Sequence, residues 1–285
     1  MRPEPAWRLT NLPMHIHFLD PYRPLASPVH ALDGRVKFVL AVAFILTVSL
    51  TPLGAWPVYV LLWSIILSVE ILSGLGVGYV LRRASLALPF ALAALPLVVT
   101  TPGTPWFHLA LGSWQLTVTL YGLLRFANVA VKSWLSVQAA IVLASSTDFR
   151  DLLLAMRAVR IPRLLVAMFG LMWRYLFVLV DEALRLLRAR SARSGIARRP
   201  AGAPGRRPGG SLAWRGKVAG GMAGNLFLRA VDRSDRIYVA MLSRGYDGEV
   251  RSFASQPVPL RARVTLGIGL ALLGLLWLGG LLVWG

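Results

Sequence analysis

Asp235-Arg236-Ile237-Tyr238-Val239-Ala240-Met241-Leu242-Ser243-Arg244-Gly245-Tyr246-Asp247-Gly248 decides how the rest of the chain is read. The pattern is a helix stopped by a glycine, with an arginine in its last turn between two small residues. Arg188-Ala189-Arg190-Ser191-Ala192-Arg193-Ser194-Gly195 carries the same arrangement earlier in the chain. The helix dipole alone favours a basic residue in a last turn. It does not account for the small residues on either side. Small flanks let another surface approach the guanidinium, whose five fixed donors suit carboxylates and carbonyls in a groove. The two tips therefore read as two plugs, Ala192-Arg193-Ser194 and Ser243-Arg244-Gly245. Ala189-Arg190-Ser191 nearly duplicates the first; Arg193 is chosen because it adjoins the glycine stop, as Arg244 does.

Composition places these helices in a membrane protein. Of 285 residues, 56% are hydrophobic and only 15% are charged, against about 25% charged in a soluble domain. Ten tryptophans suit membrane interfaces. The net charge of +19 would suggest nucleic acid in a soluble chain. Here no basic run interleaved with aromatics is present, so no nucleic-acid partner is expected. The absence of cysteine excludes disulfides, iron–sulfur clusters and thiolate metal sites. The first 35 residues are polar and Pro-rich, so no cleavable signal peptide is expected.

Apolar runs predict an all-α polytopic protein with about five spans, six at most: 36–51, 56–72, 85–100, 116–144 and 264–284, with 164–180 as the sixth candidate. About 20 apolar residues cross a bilayer, with a range near 17–25. Lys and Arg number five in 1–37, none in 52–55, two in 73–84, none in 101–115 and twenty-two in 146–263. That alternation predicts a cytoplasmic N-terminus, a cytoplasmic block and an external C-terminus. The expected organisation is a cytoplasmic segment 1–35, spans one to four in 36–145, a cytoplasmic coupling domain 146–263 and a last span in 264–285. The run 164–180 contains Arg174, and charge at mid-bilayer is costly. Spanning would also put Arg150, Arg157, Arg160 and Arg163 outside. A helix at or beneath the membrane surface is the preferred reading.

Within the coupling block, 148–159 predicts a short amphipathic helix with Thr147 as N-cap. Its apolar stripe is Leu152, Ala155, Met156 and Val159. Ile161-Pro162 stops it. A long helix follows from Arg163 to about Ser194, with Gly195 as a left-handed cap. Residues 197–216 read as a Pro/Gly/Arg tether. Met222 to Arg244 is the second long helix.

These features together resemble the transmembrane (T) component of energy-coupling factor transporters. Ser27-Pro28-Val29-His30-Ala31-Leu32-Asp33-Gly34-Arg35-Val36-Lys37 is similar to that family's signature before the first span, with Gly34 where proline is usual. Ser146-Thr147-Asp148-Phe149-Arg150-Asp151-Leu152-Leu153 with Arg160-Ile161-Pro162 resembles the lead into its coupling helices. Trp173-Arg174-Tyr175 matches the Arg-Tyr of the first, and Ser243-Arg244-Gly245-Tyr246 is the strongest match. The entry signature and the Arg244 tip are most similar to the cobalt-type branch, CbiQ. The resemblance implies two ABC-type ATPase subunits docked on the tips and a substrate-binding membrane subunit carried in the bilayer. It also implies a multi-pass place in the cell inner membrane, no catalysis and no cofactor. Cargo is expected to be Co²⁺ first and Ni²⁺ second; the same physics would serve a vitamin carrier.

Other signals carry less. His15-x-His17 lacks a third ligand, so no metal site is expected. Gly74-x-Gly76-x-Gly78 lacks the strand and acidic partner of a dinucleotide fold and reads as a turn at a span end. No Walker loop is present. Glu70, Arg125 and Lys132 are the charges in or near spans and suit the bundle interior or the headgroups. A membrane enzyme of lipid metabolism would need clustered Asp or His for a metal or nucleophile, and acidic residues here are few and scattered. A self-contained carrier would show internal repeats, which are not evident.

Overall fold

The computed structural model describes residues 21–102, 105–111, 114–193, 211–248 and 257–284. It resolves into two compact units, one built from residues 1–159 with 254–285 and the other from 160–253.

The first unit opens with a single helical turn, α1 (Pro28–Ala31), and continues into α2 (Gly34–Leu50). Asp33 caps α2 by accepting from the Arg35 N–H at 2.9 Å. Thr51-Pro52 ends it, because the residue before proline avoids helical geometry. After a turn at Gly54, α3 (Trp56–Ser73) runs to Gly74, which takes the left-handed cap position at φ 69°. Gly76 (φ 85°) then starts α4 (Val77–Ala84). The Gly74–Gly76 segment is thus the turn expected there.

The third span is not one regular helix. It runs from α4 through a 3₁₀ turn at Ser85–Ala87 and α5 (Leu88–Leu92) to α6 (Leu97–Thr100). Pro89 and Pro96 lack a donor and obstruct the preceding turn. Between them the backbone tightens to three-residue bonds, such as Ala94 N–H to Ala91 O at 3.0 Å and Leu95 N–H to Leu92 O at 2.9 Å. The span also begins earlier than expected: Arg82 and Arg83 lie in the last turn of α4, not in a connecting loop.

A second difference follows. Two strands, β1 (Pro105–Leu111) and β2 (Trp114–Thr119), pair antiparallel before the fourth span. The fourth span, α7, accordingly starts at Leu120 and ends at Ser146. The excess length of the apolar run beginning at Leu116 belongs to a strand. Apolar β-branched runs of this length do not separate strand from helix by periodicity. Thr119 caps α7, accepting from Gly122 N–H at 3.2 Å while donating to Thr101 O at 2.8 Å.

The core of this unit joins α2, α3, α4 and α7 through Val48, Leu62, Val80, Leu135 and Val142. The last helix, α11 (Leu260–Trp284), packs on α2 and α3 through glycines. A Cβ at Gly269 would stand 2.5 Å from Leu40, and one at Gly280 3.3 Å from Val58. Outward faces are apolar: Leu275 and Leu282 of α11 are 70% and 83% exposed, as a hydrocarbon solvent permits. Among the described residues five helical segments are long and apolar enough to cross a membrane, 56–73, 77–100, 120–146, 163–192 and 260–284. Helix α2, the first expected span, has 17 residues and lies at the short limit of the spanning range.

The short helix α8 spans Phe149–Ala158. Its N-cap position is Asp148, without a side-chain cap bond. Thr147 instead terminates α7, which corrects the expected cap. In the expected stripe, Ala155 is buried but Val159 is 50% exposed. Arg160, at φ 64°, takes the left-handed position after the helix, and Pro162 prevents its continuation.

The second unit holds two long helices, α9 (Arg163–Arg193) and α10 (Leu212–Leu242). Helix α10 starts ten residues before the expected Met222, with Ser211 accepting from Trp214 N–H at 3.2 Å. Residues 212–216 are thus helix, not tether. Gly216, Gly220, Gly221 and Gly224 lie inside α10. A glycine within a helix costs about 1 kcal/mol relative to alanine, which weakens a helix without stopping it.

Candidate docking tips and the helices that carry them

Three contacts align α9 and α10 antiparallel. Arg190 lies over the Trp214 ring at 5.7 Å, and Arg233 over the Tyr175 ring at 5.8 Å. Between them Glu182 accepts from both Arg185 and Arg229. The two guanidiniums hold the Glu182 carboxyl below the ordinary carboxylate range. Further along, Leu164 and Leu171 of α9 share a 410 Å³ cleft with Ile237, Met241 and Tyr246. The start of α9 therefore faces the end of α10. Arg193 and Arg244 stand at opposite ends of the pair, separated by the length of a 31-residue helix, roughly 45 Å at 1.5 Å per residue.

The second tip is built in atomic detail. Tyr246 N–H donates to Met241 O at 3.0 Å and Gly245 N–H to Leu242 O at 2.9 Å. With Gly245 at φ 75°, this is the Schellman arrangement, in which crossed bonds satisfy the last carbonyls. Tyr246 and Met241 line the same cleft, the apolar contact that accompanies such caps. Ser243, Arg244 and Gly245 are exposed. Among the described residues Arg244 makes no ion pair. Nothing lies within 4 Å of a Cβ built on Gly245, so glycine is needed there for its backbone angle rather than for internal packing. The cap holds the arginine on a rigid corner facing outward.

At the first tip, Ala192 is exposed and Arg193 is the last residue of α9. Ser194, Gly195 and the expected tether 197–210 lie outside the described residues. Arg190, the rival for this tip, is half-buried against Trp214. It is occupied in holding the pair together. Trp214 and Glu182 escaped sequence reasoning. Trp214 falls in a segment whose composition suggests a tether, and Glu182 resembles any solvated charge.

The signature before the first span is structural. Ser27 Oγ lies 2.7 Å from His30 Nδ1 and accepts from His30 N–H at 3.2 Å, closing α1. Lys37 Nζ donates to Ser146 O at 2.7 Å, tying α2 to the end of α7. A Cβ on Gly34 would meet the Asp151 Cβ at 2.6 Å. Glycine at 34 thus lets α8 close on the start of α2. His30 and Lys37 are committed to packing, His15 and His17 lie outside the described residues, and no group of three metal-ligating side chains forms among those described. Glu70 is buried at the end of α3, and Lys132 Nζ reaches Ser49 O at 2.8 Å.

Comparison with known proteins bears on the same residues. The family model described as CbiQ, cobalt transport protein, matches residues 26–253. The cobalt transport protein CbiQ of Rhodobacter capsulatus is 27% identical over 77% of this chain and 83% of its own length. That of Salmonella typhimurium is 27% identical over 75% of this chain and 90% of its own. An uncharacterised protein of Methanocaldococcus jannaschii is 23% identical over 86% of this chain and 80% of its own.

Proposed function

The chain belongs to the CbiQ cobalt transport protein family, and we propose that it is the energy-coupling membrane subunit of an ATP-driven importer. The observation that carries this reading is the antiparallel pair α9–α10, which sets one arginine tip at each end. Each tip takes one ABC-type ATPase subunit: Ala192, Arg193 and Ser194 enter one, and Ser243, Arg244 and Gly245 the other. A helical pair bearing two widely separated plugs converts approach and separation of two sockets into motion of the helices themselves. The helices carry exposed apolar side chains, among them Met168, Phe169, Phe227 and Leu228. Such a surface can pass that motion to a substrate-binding membrane subunit.

In this reading 146–263 is cytoplasmic, and α9 stays on that side despite being apolar enough to span. Its flanking arginines favour the cytoplasmic face. The chain performs no chemistry of its own and holds neither cofactor nor metal. The cargo is Co²⁺, with Ni²⁺ second, and the partner subunit supplies the ligands that select it.

The test uses the whole assembly. In Arg193→Glu/Arg244→Glu, each socket built for a guanidinium meets a carboxylate. Removing one partner of a buried charge pair costs roughly 2–5 kcal/mol, and reversal costs at least as much. The double variant is expected to insert normally yet lose both ATPases on purification and to lose radioactive cobalt uptake. A complex and uptake equal to wild type would overturn the docking role. Intact docking sensitivity with uptake of a vitamin rather than cobalt would reassign the cargo alone.

A further inference from the structure

Arg23 and Arg83 converge on one tyrosine. The Arg23 guanidinium carbon lies 3.7 Å from the Tyr79 ring centroid and that of Arg83 lies 5.1 Å from it. Tyr79 and Arg83 belong to α4. Arg23 arrives from the extended segment before α1, held there by its own N–H donating to Ser145 O at 2.9 Å at the end of α7. Arg82 is adjacent in the same last turn of α4. All three arginines are exposed, and Tyr79 is half-buried.

The α4 dipole accounts for Arg82 and Arg83. It does not account for Arg23, brought in by a backbone anchor to add like charge to like charge. Cation–π attraction offsets only part of that repulsion, about 0.5–1 kcal/mol at an exposed site. Among the described residues no carboxylate pairs with any of the three. The cluster stands at the end of α7, a helix long and apolar enough to cross a membrane. Basic clusters at the cytoplasmic surface between spans suit the headgroups of anionic lipids, and two guanidinium forks suit one phosphate.

We propose that Arg23 and Arg83, held on Tyr79, form with the neighbouring Arg82 a phosphate-binding site at the membrane boundary, taking the phosphodiester of an anionic lipid or a free phosphate. Contact with the one Tyr79 ring holds the two guanidiniums near each other, where a single anion would bridge them. Occupancy pins the segment before α1 to the start of the broken third span.

The experiment uses the purified full chain, delipidated and placed in nanodiscs. The discs hold either phosphatidylcholine alone or phosphatidylcholine with phosphatidylglycerol. Retained lipid is counted by native mass spectrometry after extraction. Wild type is expected to retain phosphatidylglycerol over phosphatidylcholine. Arg23→Lys/Arg83→Lys, which keeps the charge that sets topology but loses the forks, is expected to retain several-fold less. Arg23→Gln/Arg83→Gln is expected to retain at least tenfold less, and Arg236→Gln the wild-type amount. A parallel arm titrates inorganic phosphate into the phosphatidylcholine discs. Saturable binding lost in the Gln pair, without lipid preference, assigns the site to the free anion. Absence of both lipid preference and phosphate binding in wild type, or equal binding by wild type and the Gln pair, overturns the proposal.

Discussion

The membrane unit and the helical pair are both α-helical and both rich in leucine, yet they are held together by different means. In the membrane unit helices approach so closely that glycines mark the contacts: Gly34 against Asp151, Gly269 against Leu40 and Gly280 against Val58. Polar groups there are tied across helices, as in Lys37 to Ser146 O and Asn128 Nδ2 to the Tyr59 hydroxyl at 3.1 Å. In α10 the glycines face open space. The contacts are long side chains reaching across, Arg190 to Trp214, Glu182 to Arg229 and Arg233 to Tyr175. Helix α10 buries none of its residues. Close backbone packing fixes one arrangement, whereas long side chains tolerate sliding. The membrane unit is thus the more tightly fixed of the two.

Gly34→Leu is the most severe test of that contrast. Its side chain must enter space held by the Asp151 Cβ and backbone and by Thr147. Overpacking of this kind costs typically 1–3 kcal/mol, and part of the obstruction here is backbone that cannot swing aside. The expected result is a marked fall in the melting temperature of the detergent-purified chain, with loss of the α2–α8 contact. An unchanged melting temperature would show that this junction is as loose as the helical pair.

Two glycines, one within α10 and one at its cap, sharpen the contrast at smaller scale. Gly245 needs φ 75°, where a side chain costs roughly 1–2 kcal/mol. Gly245→Ala is expected to leave the melting temperature nearly unchanged, since the tip is exposed. It should weaken ATPase affinity roughly 5- to 30-fold, because 1.4 kcal/mol is a factor of ten. Gly221→Ala, within the helix and facing open space, is expected to stabilise α10 by about 1 kcal/mol while leaving affinity intact. Titrating each variant with purified ATPase subunits separates the two. Equal affinities would mean that the second tip does not depend on its cap.

Legibility in the sequence divides along the same line. Span positions and the second tip are legible, because apolar length and a glycine stop act locally. Arg244 and Gly245 stand in the cap that their spacing suggests. The strand pair β1–β2 is not legible, since its apolar alternation merges with the following span. Nor is the start of α10: the glycines that suggest a tether are tolerated within a helix capped by Ser211. The role of Gly34 is hidden because its reason, the approach of Asp151, lies more than a hundred residues away in sequence. Trp214 and Glu182 owe their importance to the pairing of α9 with α10, which periodicity within either helix does not reveal.

The smallest expected effect concerns pH and falls on the membrane unit alone. His30 Nδ1 is engaged with Ser27 Oγ, and its Nε2 is buried. Burial, then the nearby Lys37 ammonium, lower its pKa from the ordinary 6.5. The folded protein therefore holds His30 neutral at a pH where the unfolded chain would protonate it. Stability rises with pH wherever the unfolded state binds more protons. The contribution is complete above about pH 6.5 and is lost as pH falls through the lowered folded value. Asn at 30 keeps a hydrogen-bonding group for Ser27 but cannot titrate. Wild type is expected to melt at a lower temperature at pH 5.5 than at pH 7.5, and His30→Asn to show a smaller difference. A wild-type melting temperature that rises on acidification, with the rise abolished in His30→Asn, would mean that His30 is protonated in the fold. It would then belong to a charge-paired site rather than to the close packing that distinguishes this unit from α9–α10.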